Sequence, residues 1–224
     1  MKPTNTLIAT VLAVASASAV SAQDTYVSVY GGFANLSDTE LEGTVGGASQ
    51  SVEVQSDGGY AAGIAIGREI ANLNGTGIRG ELELSYAENE ADDLFFSGNG
   101  PAAEINVDGD LATTRLFANV IADFDTGSAV TPYVGGGLGV SRSEFDITYG
   151  PGVALDDESD NVSAQLILGA AYAVSSDVSI FSDVRFIRDF DVETDRFNPA
   201  GGLTGTISED VDSTNFNIGV AFSF

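Results

Sequence analysis

Charged residues recur at every second position in several short stretches of the chain. Arg79, Glu81 and Glu83 alternate with apolar residues, and Asp183 and Arg185 do the same further on. Opposite charges on one face of a strand can form ion pairs, and two nearby carboxylates can act as the acid and the base of glycoside hydrolysis. The full set with this parity is Glu69, Arg79, Glu81, Glu83, Arg115, Asp123, Asp183 and Arg185. The pattern predicts an ion-pair network on one face of a sheet.

Two residue types are missing from the chain, which contains no cysteine and no histidine. Disulfides, thiolate metal sites and covalent haem attachment are therefore excluded. The commonest general base and the commonest transition-metal ligand are absent as well. The sequence predicts no cofactor.

The charge of the chain is strongly negative, with eight basic residues against 33 acidic ones and a net charge of −25. This balance argues against nucleic acid as a partner. Four segments, 34–58, 88–110, 143–160 and 189–213, hold 25 of the acidic residues and a single basic one, Arg196. The densest run is Asp156, Asp157, Glu158 and Asp160. These carboxylates are weak candidates for Ca²⁺ or Mg²⁺ because they lack the spacing of a calcium-binding loop, and a solvated acidic surface is the simpler interpretation.

Eight segments alternate large apolar residues with small or polar ones, which is the period of a β-strand. They are residues 25–33, 59–70, 76–87, 111–124, 130–142, 161–174, 178–188 and 214–224. Their lengths suit tilted strands that cross a membrane, and the connectors between them alternate between short and long. The pattern predicts an all-β fold, an eight-stranded up-and-down antiparallel transmembrane β-barrel with short periplasmic turns and long extracellular loops.

The last strand shows the two faces most clearly. Its apolar face carries Phe216, Ile218, Val220, Phe222 and Phe224. Asn215, Asn217 and Ser223 lie on the other face, where glycine and alanine also occur. A soluble sandwich could contain such a strand, and a soluble ligand-binding barrel would place the apolar face inside. Small and charged residues together suit the narrow interior of an eight-stranded barrel, so the apolar face is predicted to meet lipid.

The N-terminus has the composition of a secretory signal. Lys2 precedes a short apolar stretch, and small residues end at Ala22. The predicted organisation is a signal peptide at residues 1–22, followed by a barrel domain at residues 23–224.

Several stretches resemble the small outer-membrane β-barrel family of Gram-negative bacteria, the porin-family or OmpA-like eight-stranded group. They are the opening 26–33 (YVSVYGGF), the strand 118–124 (ANVIADF), the segment 131–140 (TPYVGGGLGV) and the terminal Phe224. The resemblance implies export to the outer membrane, and it implies that the apolar residues of the last strand, ending at Phe224, form the signal read by the barrel-assembly machinery. Enzymes with similar barrels rely on histidine, so no enzymatic activity is predicted.

The predicted role is that of a structural anchor whose loops interact at the cell surface, in adhesion or in stabilising the envelope. A narrow passive channel for small solutes or ions is the alternative, with exchange of the interior ion pairs as its gate. Arg68, Arg142 and Arg188 have outward parity at the rims and are predicted to contact lipid headgroups. The predicted partners are outer-membrane lipids, lipopolysaccharide, divalent cations and host or cell-surface ligands.

Overall fold

A computed structural model describes the backbone of residues 25–37, 39–45, 48–56, 58–98, 104–105, 108–149, 153–197 and 203–224. Side chains are described for residues 25–37, 58–89, 111–144, 158–192 and 210–224. The predicted signal peptide lies outside these residues. Within them, the structure contains no helix long and apolar enough to span a membrane.

The described chain forms eleven strands. They are β1 (Thr25–Leu36), β2 (Thr39–Val45), β3 (Ala48–Ser56), β4 (Gly59–Leu73), β5 (Thr76–Gly98), β6 (Glu104–Ile105), β7 (Asp108–Phe124), β8 (Val130–Tyr149), β9 (Val153–Ala173), β10 (Val178–Phe197) and β11 (Leu203–Ser223). Eight of them, β1, β4, β5 and β7 to β11, pair antiparallel with both neighbours in a ring. Pairing of β1 with β11 closes the ring, so the predicted eight-stranded barrel is confirmed.

The two ends of the barrel differ as predicted. At one end the connections are tight, and the β4–β5 hairpin turns through Asn74 and Gly75 with positive φ angles of 53° and 91°. Such angles suit an Asn-Gly pair, because they fall in the left-handed region that these two residues tolerate best. The first described residue, Thr25, and Phe224 lie at this same end.

At the other end, strands continue well into the segments predicted as loops. The β8–β9 hairpin keeps its register out to the pair Tyr149 and Val153, and β10–β11 pairs out to Phe197 and Leu203. Strands β2, β3 and β6 lie in segments 34–58 and 88–110, where β3 and β6 pair with the extension of β5. The long connectors are therefore largely paired β-hairpins. Alternation alone missed them because acidic residues stand at consecutive positions there, as at Asp156 and Asp157, and this interrupts the apolar–polar period.

The two faces of the barrel are occupied as the alternation predicts. On β11, Phe216 and Ile218 are 56% and 65% exposed, whereas Asn215 and Asn217 are buried. Exposed apolar side chains cover the middle of the outer surface on every barrel strand. A belt of this kind suits a lipid environment, since apolar surface gains nothing from contact with water.

The interior contains more apolar bulk than the sequence interpretation allowed. A buried cluster inside the barrel consists of Tyr30, Ile121, Tyr133, Ile167 and Phe181. Its aliphatic members share the parity of neighbouring polar residues, so the prediction of a purely small and polar inner face was incomplete.

Inward aromatic rings pack against glycines on the adjacent strand. The rings of Tyr26, Tyr30, Tyr133 and Phe181 lie opposite Gly67, Gly63, Gly169 and Gly219. A Cβ atom added to Gly63 would lie 2.4 Å from the Tyr30 ring, so a larger residue cannot share that space without movement. The glycines of the inner face therefore make room for large rings in a narrow barrel.

Candidate functional site

The middle of the barrel is filled by an ion-pair cluster around Arg185 on β10. Its guanidinium contacts the Glu83 carboxylate on β5 and lies 3.1 Å from the Asp183 carboxylate, and all three side chains are at least 95% buried. The same guanidinium stacks over the Tyr30 ring, 4.2 Å from its centre. Tyr133 and Asn217 donate further hydrogen bonds to Asp183, at 3.1 and 2.9 Å.

Amide side chains extend this cluster across the barrel. Asn119 Nδ2 donates to both Glu83 Oε2, at 2.8 Å, and Glu81 Oε1, at 3.0 Å. Gln165 Nε2 donates to Asn119 Oδ1 at 2.8 Å. Buried charges are stabilised by pairing and hydrogen bonds, and the ion pairs of Arg185 meet that requirement with donors from several strands.

A second ion pair lies nearer the short-turn end. Arg79 Nε and Asp123 Oδ2 are 2.5 Å apart, and both side chains are 21% exposed. The Arg79 guanidinium also donates to the Tyr26 hydroxyl at 2.7 Å, and that hydroxyl donates to Glu81 Oε2 at 2.7 Å. Contrary to the prediction, Glu69 lies outside this network. Its backbone is opposite Arg79, but its side chain is exposed beside an irregularity in the β4–β5 pairing.

A third ion pair lies on the long-connector side of the central cluster. Arg115 Nη2 and Asp189 Oδ2 are 2.6 Å apart, with side-chain exposures of 3% and 1%, and Ser163 Oγ donates to the same aspartate at 2.5 Å. The sequence interpretation missed Asp189 because it ended the strand at residue 188. The parity that selected Asp183 and Arg185 reaches Asp189 two steps further on.

On the short-turn side of the central cluster lies a cavity of about 210 Å³. Its lining combines the polar side chains of Glu81, Arg79 and Tyr26 with the apolar side chains of Ile121 and Phe181. The partial exposure of Arg79 and Asp123 shows that solvent reaches this cavity from the short-turn end.

Arg142 and Arg188 project outward where the apolar belt gives way to acidic residues. Arg142 forms a two-pronged pair with Asp160 on β9, at 2.8 and 3.0 Å. Arg188 pairs in the same way with Asp212 on β11, at 2.6 and 2.5 Å. Hydrogen bonds from the arginines hold the pKa of Asp160 and of Asp212 below their ordinary value. Both guanidinium groups thus join neighbouring strands, while Arg68 lies exposed near the short-turn end.

The acidic run at residues 156–160 lies within strand β9. Asp156 is opposite Asp146 and Glu158 is opposite Glu144 in the register, and Asp160 is engaged by Arg142. The side chains of Asp156 and Asp157 lie outside the described set. Among the side chains that are described, no group of three or more acidic residues is placed to hold a metal ion.

The apolar residues of the last strand face outward. Phe222 and Phe224 are 49% and 64% exposed, and the backbone N–H of Phe224 donates to the Thr25 carbonyl at 3.0 Å. The strand is therefore part of the closed ring up to its end. Its use as an assembly signal stays a prediction.

A closed eight-stranded barrel with an apolar belt and a charged interior defines a class of membrane protein, and sequence comparison identifies the family. The sequence model of the family described as outer membrane protein β-barrel domain matches residues 7–224, so the chain belongs to that family. It is an outer-membrane protein of the Gram-negative type. The predicted family and location are confirmed.

Individual relatives are distant. The chain is 25% identical over 210 residues to outer membrane protein PagN of Salmonella typhimurium strain LT2, covering 88% of this chain and 85% of PagN. The crystal structure of OprG from Pseudomonas aeruginosa aligns with a TM-score of 0.56 at 19% identity, over 90% of this chain and 96% of OprG. The outer membrane protease OmpT from Escherichia coli also aligns with a TM-score of 0.56, at 9% identity, over 91% and 98% of the two chains.

The two structural likenesses establish the fold alone, since a barrel of this kind serves proteins with different activities. Together, family and fold support a role at the cell surface or as a channel. The packing of the interior residues bears on which of these two roles the protein has.

Proposed function

We propose that the protein is a rigid outer-membrane anchor that presents acidic β-hairpins outside the cell, without channel or enzymatic activity. The observation that carries the proposal is the packed interior. Glu83, Arg185 and Arg115 are almost completely buried, at different heights in the barrel. A wide aqueous path would expose such groups.

The extended hairpins support the display role. Strands β8 to β11 continue as paired sheet beyond the outward pairs of Arg142 with Asp160 and of Arg188 with Asp212. Paired strands hold their shape better than open loops, because their backbone groups are hydrogen-bonded. A stiff acidic surface suits contact with a cationic partner or, through divalent cations, with lipopolysaccharide phosphates.

The absence of enzymatic activity is proposed on chemical grounds. The chain contains neither histidine nor cysteine. The carboxylates Glu81 and Glu83 lie close together, but Glu83 is held by Arg185 and Tyr30 inside the barrel. A substrate could not reach it without breaking that cluster.

The channel alternative has a direct test in planar lipid bilayers. The wild-type barrel is expected to give no sustained current, and Arg79→Ala is expected to leave the record unchanged. The reason is that the layers around Arg185 and Arg115 remain in place when the ion pair of Arg79 with Asp123, at the short-turn end, is removed. Arg188→Ala, on the outward face, is the matched control. Long-lived openings in the wild type would contradict the proposal, and openings created by Arg79→Ala but not by Arg188→Ala would show that the interior pairs act as a gate.

A further inference from the structure

The charges inside the barrel do not balance. Among the described interior side chains, three arginines face five carboxylates: Arg79, Arg115 and Arg185 against Glu81, Glu83, Asp123, Asp183 and Asp189. Each of these carboxylates except Glu81 forms an ion pair. Glu81 receives hydrogen bonds only from the neutral groups of Tyr26 and Asn119.

Glu81 also lines the cavity of about 210 Å³ on the short-turn side. Its lining also includes the apolar side chains of Ile121, Ile167 and Phe181. A carboxylate in a narrow, partly apolar space attracts a cation more strongly than one in bulk water, because the Coulomb attraction is less screened there. The cavity volume exceeds that of a single ion, and burial of hydrocarbon against the apolar lining residues is favourable.

We propose that this cavity, called the vestibule, binds a small organic ammonium ion from the periplasmic side. The ammonium group pairs with the Glu81 carboxylate, and a short alkyl chain lies against Ile121, Ile167 and Phe181. Arg79 sits at the solvent-exposed edge, where its guanidinium is neutralised by Asp123. The central cluster around Arg185 closes the inner end, so the guest binds without crossing the barrel.

The chemistry of the walls distinguishes an amine from other guests. An anion would meet the excess of carboxylates, and the described side chains contain no group of three acidic residues placed to hold a metal ion. A neutral alcohol of equal length would gain the apolar contact but not the attraction of Glu81. The proposal therefore predicts selection by charge in addition to the apolar contact.

The test is a titration of the wild-type barrel with n-butylammonium in non-ionic detergent micelles, followed by the methyl resonances of Ile121 and Ile167. At about pH 8 the amine is protonated, since alkylamines titrate near pH 10. Saturable shifts of these methyl groups are expected with n-butylammonium, and much smaller ones with n-butanol. No saturable shift, or equal shifts with both compounds, would overturn the proposal.

Variants separate the site from general effects of charge. Glu81→Gln is expected to weaken n-butylammonium binding by about tenfold or more, because it removes the charge but keeps the acceptor for Tyr26. Glu69→Gln removes an exposed carboxylate outside the vestibule and is expected to leave binding unchanged. Undiminished binding to Glu81→Gln would overturn the proposal, as would an equal loss in both variants. Because the wild-type titration needs no variant, the test stands even if Glu81→Gln does not fold.

Discussion

Replacement of Arg185 by alanine is expected to lower the free energy of unfolding by about 3–5 kcal/mol, the cost of breaking a buried ion pair by removing one partner. The arginine is 95% buried and contacts the carboxylates of Glu83 and Asp183. Its loss leaves two buried carboxylates without a cation. The measurement is urea-induced unfolding of the refolded barrel in micelles, followed by the gel-mobility difference between folded and heated protein.

Arg188→Ala is the matched control for this experiment. Arg188 lies three residues further along the same strand, faces outward and is half exposed, in a pair with Asp212. Exposed ion pairs contribute only about 0.2–1 kcal/mol, so a small effect is expected. Combining Arg185→Leu with Glu83→Gln and Asp183→Asn removes all three charges and should restore part of the stability. Equal losses for Arg185→Ala and Arg188→Ala would contradict the assigned role of the central cluster.

Replacement of Gly169 by alanine is expected to cost about 1–3 kcal/mol, the usual penalty for overpacking. An added Cβ would lie 2.5 Å from the Tyr133 ring and 2.7 Å from the carbonyl oxygen of Ser182. The ring can move only by disturbing its hydrogen bond to Asp183, and the carbonyl belongs to the backbone of β10. The same urea titration measures the effect.

Gly136→Ala is the control for the glycine substitution. Gly136 is exposed on the outer face, and an added Cβ would lie 3.5 Å from the Gln165 carbonyl oxygen, an ordinary contact. Its effect is expected to stay within about 0.5 kcal/mol. If both substitutions are equally tolerated, the packing of aromatic rings on glycines does not limit which residues the inner face accepts.

The sequence predicts the barrel and its two faces because period-two alternation ties each side chain to one side of a sheet. Arg79, Asp123, Asp183 and Arg185 are paired across or along strands, but the partners were not predictable. Glu69 and Arg79 are equidistant from the turn and do lie opposite each other, yet Arg79 turns to Asp123 on the other neighbouring strand. The partner that an interior side chain contacts depends on how its neighbours pack, and parity does not specify that packing.

Neutral members of the network escaped prediction for a related reason. Tyr26 and Tyr30 carry no charge to single them out, and it is their burial opposite Gly67 and Gly63 that shows that they point inward. Gln165 has the correct parity but no charge to single it out. Local periodicity in a single sequence does not show which residues of sequence-distant strands lie opposite each other.

The measurement that tests most directly whether the barrel displays its hairpins outside the cell uses the absence of cysteine from the chain. Asp156→Cys places a single thiol in the extended β8–β9 hairpin, and Ser128→Cys places one in the short turn between β7 and β8. A membrane-impermeant maleimide is expected to label Asp156→Cys on intact cells, and Ser128→Cys only after the outer membrane is permeabilised. Labelling of Ser128→Cys on intact cells, with Asp156→Cys protected, would contradict the proposed orientation and the display role.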